Sequence, residues 1–228
     1  MASSIAAPER LSIDGPSGAL EALLEWPVGE GPQAGPREFA AVGIVCHPHP
    51  LFGGAMTNKV VHTVARAFRD HGAPTLRFNF RGVGASGGQY DEGRGETEDL
   101  LAVAAWAARR LPGAALWLAG FSFGSWVALR ALDRLAPQRL VTVAPPVGRW
   151  DFGALTRPRC PWLIVQGDQD ELVDARLVAN WAEATGAGPR LEVLAGADHF
   201  FHGRLHDLRD AVSGFLGMPA GSDQARSV

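Results

Sequence analysis

The chain has 228 residues, a net charge of −3, and an ordinary globular mix of 46% hydrophobic and 20% charged residues. That balance excludes a disordered or fibrous chain and gives no electrostatic case for nucleic acid or an anionic membrane. Lys59 is the only lysine among 21 basic residues, and the arginines are scattered as a solvated surface would have them.

The opening "MASSIAAPER" has no basic run ahead of a long apolar core, so no signal peptide is expected. No apolar stretch approaches the ~18 residues of a membrane span. A cytoplasmic location follows as the expectation, with Cys46 and Cys160 as free thiols beside buried strands. Residues 9–26 read as two strands joined by a turn at "DGPSG", an antiparallel edge, and 27–38 as a Pro/Gly loop. "AAVGIVC" (40–46) is continuously apolar, as a strand buried on both faces should be. A helix is predicted over 57–71, capped by Thr57 or Asn58, and a strand over 74–80.

"GVGASG" (82–87) then spells the dinucleotide-binding G-x-G-x-x-G. In such a site the third glycine opens a helix. Here the chain stays loop-like through "GQYDEGRG", and Asp99 sits in the first turns of the next helix, which speaks against a nucleotide. Asp99 is instead the expected structural partner of Arg81. A helix follows near 96–111, a strand at 114–120, a helix at 125–135, and strands at 139–144 and 161–166. A helix near 174–185, a strand at 190–195 and a helix near 203–216 close the chain, with 217–228 as a flexible tail. Repeated βα units imply a mostly parallel, doubly wound sheet. With no internal repeat and no dividing linker, 1–228 is expected to be a single domain with its core at about 9–216.

The strongest chemical signal is "GFSFG" (120–124), a serine between two glycines where a strand turns into a helix. The turn lifts Ser122 above the sheet, leaves room only for small residues two positions either side, and sets the serine oxygen at a helix N-terminus. A serine nucleophile needs a base, and the base needs an anion to orient it. "PWLIVQ" runs into Gly167-Asp168-Gln169-Asp170, and "RLEVLA" into Gly196-Ala197-Asp198-His199. Both loops leave the carboxyl ends of strands, where ligands bind in such sheets.

The segments "GFSFG", "QGDQDELV" and "AGADHFF" resemble the nucleophile, acid and histidine loops of the α/β-hydrolase superfamily. "HPHPLFGGAMTNKVV" and "FRGVGASGG" are similar to a group of small, capless bacterial serine hydrolases related to dienelactone hydrolases. The resemblance covers roughly residues 9–216 and implies the α/β-hydrolase fold without a cap. By the same resemblance Ser122 is the nucleophile and His199 the base, with His202 as rival. The G-x-x-D spacing of the family selects Asp170 as the acid over Asp168. It also implies oxyanion donors at the backbone N–H of Phe123 and at His49 or Leu51, since Pro48 and Pro50 have no N–H.

Only sixteen residues separate the strands at 139–144 and 161–166, too few for a helical lid. The pocket is therefore expected to be shallow and bordered by Phe52, Phe123, Trp150 and Phe200. The expected function is hydrolysis of a small or water-soluble ester through an acyl-enzyme, its partner a small-molecule acyl substrate. Thioesterase, lactonase and amidase or peptidase activities are alternatives on the same machinery, and a non-catalytic hydrolase-like binding protein is one from another class. No cofactor or metal is expected, because the His47-x-His49 pair is flanked by prolines and no H-E-x-x-H accompanies it.

Overall fold

The apolar runs that lack alternation form the centre of one eight-stranded sheet, in the order β1-β2-β4-β3-β5-β6-β7-β8. The computed structural model describes residues 6–31, 38–186 and 188–218. Parts of the predicted 27–38 loop and 217–228 tail, residues 32–37 and 219–228, lie outside them. β3 (Ala41–Cys46), β4 (Thr75–Phe78), β5 (Ala115–Phe121), β6 (Arg139–Val143), β7 (Trp162–Gly167) and β8 (Pro189–Leu194) run parallel. β1 (Glu9–Gly15) and β2 (Gly18–Glu25) form a hairpin that joins β4 antiparallel, as the two-strand reading of 9–26 expects.

Side chains alternate across the sheet and feed two apolar layers. On one face Ile44, Leu118 and Ile164 pack with Leu100, Val127 and Val178 of α2 (Arg94–Arg110), α3 (Phe123–Arg130) and α4 (Ala175–Ala184). On the other, Val45, Phe121 and Val165 pack with Phe68 and Phe215 of α1 (Lys59–Asp70) and α5 (Leu205–Leu216). The order β1-β2-β4-β3-β5-β6-β7-β8 with β2 antiparallel, and helices on both faces, gives the α/β-hydrolase fold that the resemblance implies, and among the described residues the segment 144–161 contains no helix that could serve as a cap. Cys46 and Cys160 are free thiols. No helix of the described residues is long and apolar enough to cross a membrane.

Local chemistry moves several predicted boundaries. α1 is capped by Asn58, whose Oδ1 accepts from the Val60 and Val61 N–H groups at 2.8 and 3.5 Å. α2 begins two residues earlier than its apolar periodicity suggests, because the buried Glu96 carboxylate accepts from the Gly93 and Asp91 N–H groups. α3 starts at Phe123 rather than at 125 and ends in a 3-10 turn, Ala131–Asp133. A short 3-10 turn over Pro50–Phe52, absent from the periodicity, follows β3.

Two buried clusters tie the glycine-rich loop and the hairpin to the sheet. Arg81 donates from Nε and Nη2 to Asp99, and its backbone N–H donates to the same carboxylate at 3.0 Å, so the expected pair forms. The side-chain hydrogen bond to Asp99 raises the Arg81 pKa still further. In the second cluster Arg77 reaches Glu25 at 2.7 Å and the Met56 carbonyl at 2.6 Å. Met56 N–H in turn donates to Asn79 Oδ1, and Asn79 Nδ2 donates to Glu21. The segment leading into α1 is therefore held from behind by β2 and β4.

Candidate active site

Ser122 occupies the link between β5 and α3 with φ 53° and ψ −120°, a left-handed conformation that costs a non-glycine residue about 1–3 kcal/mol. Packing around the link holds it there. A Cβ on Gly120 would sit 2.1 Å from the Gly124 carbonyl oxygen, and one on Gly124 would sit 2.5 Å from that of Cys46. Ser122 N–H donates to the Val143 carbonyl at 2.8 Å, and the buried Ser125 hydroxyl donates to the Gly120 carbonyl at 2.7 Å. Strand, serine and helix are thereby locked in one sharp turn.

The loops after β7 and β8 bring two further side chains to this turn. His199 Nε2 lies 3.1 Å from Ser122 Oγ, and His199 Nδ1 lies 2.8 Å from Asp170 Oδ2. Asp170 Oδ1 accepts from the Leu172 and Val173 N–H groups, and Oδ2 also accepts from Gln166 Nε2. Burial works to raise the Asp170 carboxyl, but the His199 hydrogen bond and charge and the two backbone donors outweigh it and hold the group below the usual carboxylate range. An ionised carboxylate accepts only, so Nδ1 carries the imidazole proton and Nε2 presents its lone pair to the Ser122 hydroxyl. That arrangement can draw a proton from the serine.

The neighbouring acid and imidazole are engaged elsewhere. Asp168 Oδ1 accepts from the Gly196 N–H at 2.6 Å and stays out of the chain of contacts. His202 precedes α5 rather than opening it, and pairs with Asp198 at 2.7 Å. Both nitrogens of His47 are taken: Nδ1–H donates to the Pro48 carbonyl at 2.6 Å, and Nε2 accepts from the Phe80 N–H at 3.0 Å. In His49, Nδ1 accepts from the Leu51 N–H at 3.2 Å and Nε2–H donates to the Tyr90 hydroxyl at 3.1 Å. The His-x-His segment is thus built as loop scaffolding, and among the described residues no three metal-ligating side chains converge.

Two expectations are corrected here. The Leu51 N–H caps its own turn through the His49 ring, so it is not free to meet an oxyanion. Phe123 does not border the pocket: it is fully buried behind it, against His49 and Trp150 at ring-centre distances of 4.9 and 5.7 Å. The cleft over Ser122 has a volume of about 130 Å³, with walls that include His49, Phe52, Trp150, Leu172 and Phe200. Phe52 is 85% exposed and stands at its rim. Asn58 and Arg149 also line it, and sequence reasoning missed them as cleft residues, along with the supports Tyr90, Ser125 and Gln166. Only Ser125 carried a usable signal, a small polar residue one turn into the helix behind the elbow.

His47 sets an acid limit on stability. Burial is the main cause that pushes its pKa from 6.5 down to about 4. The unfolded chain therefore binds the extra proton first, and stability falls as pH drops from about 6.5 to about 4, by about 3 kcal/mol in full. His47→Gln keeps one donor and one acceptor but does not titrate. Chemical denaturation across that window should show a shallower loss in the variant, and an unchanged slope would remove His47 as the cause.

A family model described as an alpha/beta hydrolase domain matches residues 48–211. The chain is 45% identical to a Xanthomonas campestris protein described as an a/b serine hydrolase without lid, covering 92% of this chain and 93% of that one, with a TM-score of 0.85. It is 44% identical to an alpha-beta serine hydrolase homologue from Coxiella burnetii, covering 93% and 99%, with a TM-score of 0.84. An uncharacterized protein of Rickettsia prowazekii is 35% identical over 187 residues, 78% of this chain and 79% of its own.

Proposed function

Because the chain belongs to the alpha/beta serine hydrolase family, we propose that it is a single-domain hydrolase that cleaves small or water-soluble esters, with Ser122 as nucleophile, His199 as general base and Asp170 as the orienting acid. The observation that carries this reading is the contact series Ser122 Oγ–His199 Nε2–Asp170 Oδ2, at 3.1 and 2.8 Å, on a serine held at positive φ. His199 takes the hydroxyl proton as Ser122 attacks the carbonyl carbon. The negative charge that develops on the carbonyl oxygen is met by the Phe123 N–H, which as the first residue of α3 has no intrahelical acceptor. The His49 N–H is the second donor, on the loop braced by Tyr90. His199 then protonates the leaving alcohol, and water repeats the sequence on the acyl-enzyme.

An alkyl fluorophosphonate should label the protein once, and peptide mass mapping should place the adduct on Ser122. Labelling elsewhere, or none, would end the reading.

The same cleft sets the acyl length. Each methylene that enters contributes at most about 0.8 kcal/mol until the space is filled, and further carbons stay in water. On aryl esters kcat/KM is expected to plateau or fall past roughly C4–C6. A constant still climbing at C12 would require a channel that the cleft does not have.

A further inference from the structure

Resting on the serine-hydrolase reading, we propose that the cleft takes esters whose acyl group ends in a carboxylate, and that Arg149 is the side chain that recognises it. Among the described residues that line the cleft, Arg149 alone carries a permanent charge. Its Nε and Nη2 donate to the Leu172 carbonyl at 3.3 and 3.1 Å, and Nη1 has no partner among the described residues. Leu172 belongs to the loop whose N–H groups grip Asp170, so the guanidinium is fixed relative to the acid and, through His199, to Ser122.

Asn58 adds to the same polarity. Its Oδ1 is spent on the first turn of α1, which leaves the NH₂ end as the one available to a ligand. Arg149 and Asn58 thus offer donors, and none of the described residues lining the cleft is a carboxylate. The rest of the wall is largely aromatic or aliphatic, so the two donors are the polar handles the cleft offers an acyl group. With so little volume, a carboxylate at the end of a short chain reaches the guanidinium before the chain outgrows the cleft. The reaction consumes water and the half-ester and releases the alcohol, the dicarboxylate and one proton.

An adjoining groove, which Arg149, Leu172 and Val173 also line, holds Asp168, Glu171 and Asp174 beside Asp170. All three are turned to backbone donors, the N–H groups of Gly196, His199 and Arg176. They make a preference for cationic esters the competing outcome.

The test compares 4-nitrophenyl hemisuccinate and hemiglutarate with 4-nitrophenyl esters of butyrate and valerate, through the ratio of kcat/KM between anionic and neutral partners. The ratio should exceed one in the native protein and fall with added salt, because the site is open to solvent. It should drop about two- to fivefold in Arg149→Gln, the scale of a solvent-exposed ion pair, and Arg149→Lys should restore part of it. A ratio below one, a ratio that survives Arg149→Gln, or a preference for an ester bearing an ammonium group would overturn the assignment while hydrolysis itself persists. Hydrolysis that survives Ser122→Ala, or no hydrolysis of any ester, would instead remove the underlying reading and this inference with it.

Discussion

Ser122→Ala is expected to lower kcat/KM on a short aryl ester by about 10³-fold or more, the scale on which losing a nucleophile from a triad is felt. The fold should survive, because the backbone bonds that hold the turn run through Ser122 N–H and the Ser125 hydroxyl, not through Ser122 Oγ. Alanine keeps the cost of φ 53°. Glycine does not, so Ser122→Gly should be equally inactive yet melt at a higher temperature than Ser122→Ala. A pair of variants equal in activity and ordered in this way in stability would separate the chemistry of the side chain from the strain of its backbone. Near-native turnover in either variant would sink the mechanism.

The second large effect is Asp170→Asn, expected to cost about 10⁴-fold in kcat. The reason lies in which end of the new amide faces the histidine. The Leu172 and Val173 N–H groups demand an acceptor at the Oδ1 position, so the amide oxygen is drawn there and the NH₂ turns to His199. Nδ1 must then accept, its proton moves to Nε2, and the ring confronts Ser122 with a donor where a base is required. The variant should still fold. Gln166 can turn its own amide to meet the new NH₂ with Oε1, an atom that is buried and has no hydrogen-bond partner among the described residues. Asp168→Asn should change turnover little, since an amide oxygen can take the Gly196 N–H as the carboxylate does. If the two variants ranked the other way, the acid would be two residues upstream of the one proposed.

The sheet was legible because its strands are short apolar runs and its helices have clear periodicity. The glycines around Ser122 announce a tight turn on their own. Less legible were features in which one residue's side chain serves another segment's backbone. Nothing local indicates that the His47 ring takes the Phe80 N–H, or that Asn79 takes the Met56 N–H. Phe123 looked like a pocket wall because it adjoins the serine, but the first turn of α3 points it inward. Asn58 and Arg149 reach the cleft from segments about ninety positions apart, a relation that the crossings of the chain create and that periodicity cannot carry.

The hairpin at the edge of the sheet bears on the chemistry from a distance. Glu21 and Glu25 never approach Ser122, yet through Asn79 and Arg77 they clamp both backbone polar groups of Met56, two residues before Asn58 and two after Gly54. The wall of the cleft is therefore cantilevered from the N-terminal strands. Its position is adjustable by substitutions in a buried polar cluster behind the cleft, which gives selection or a designer a tuning screw set apart from the residues that react.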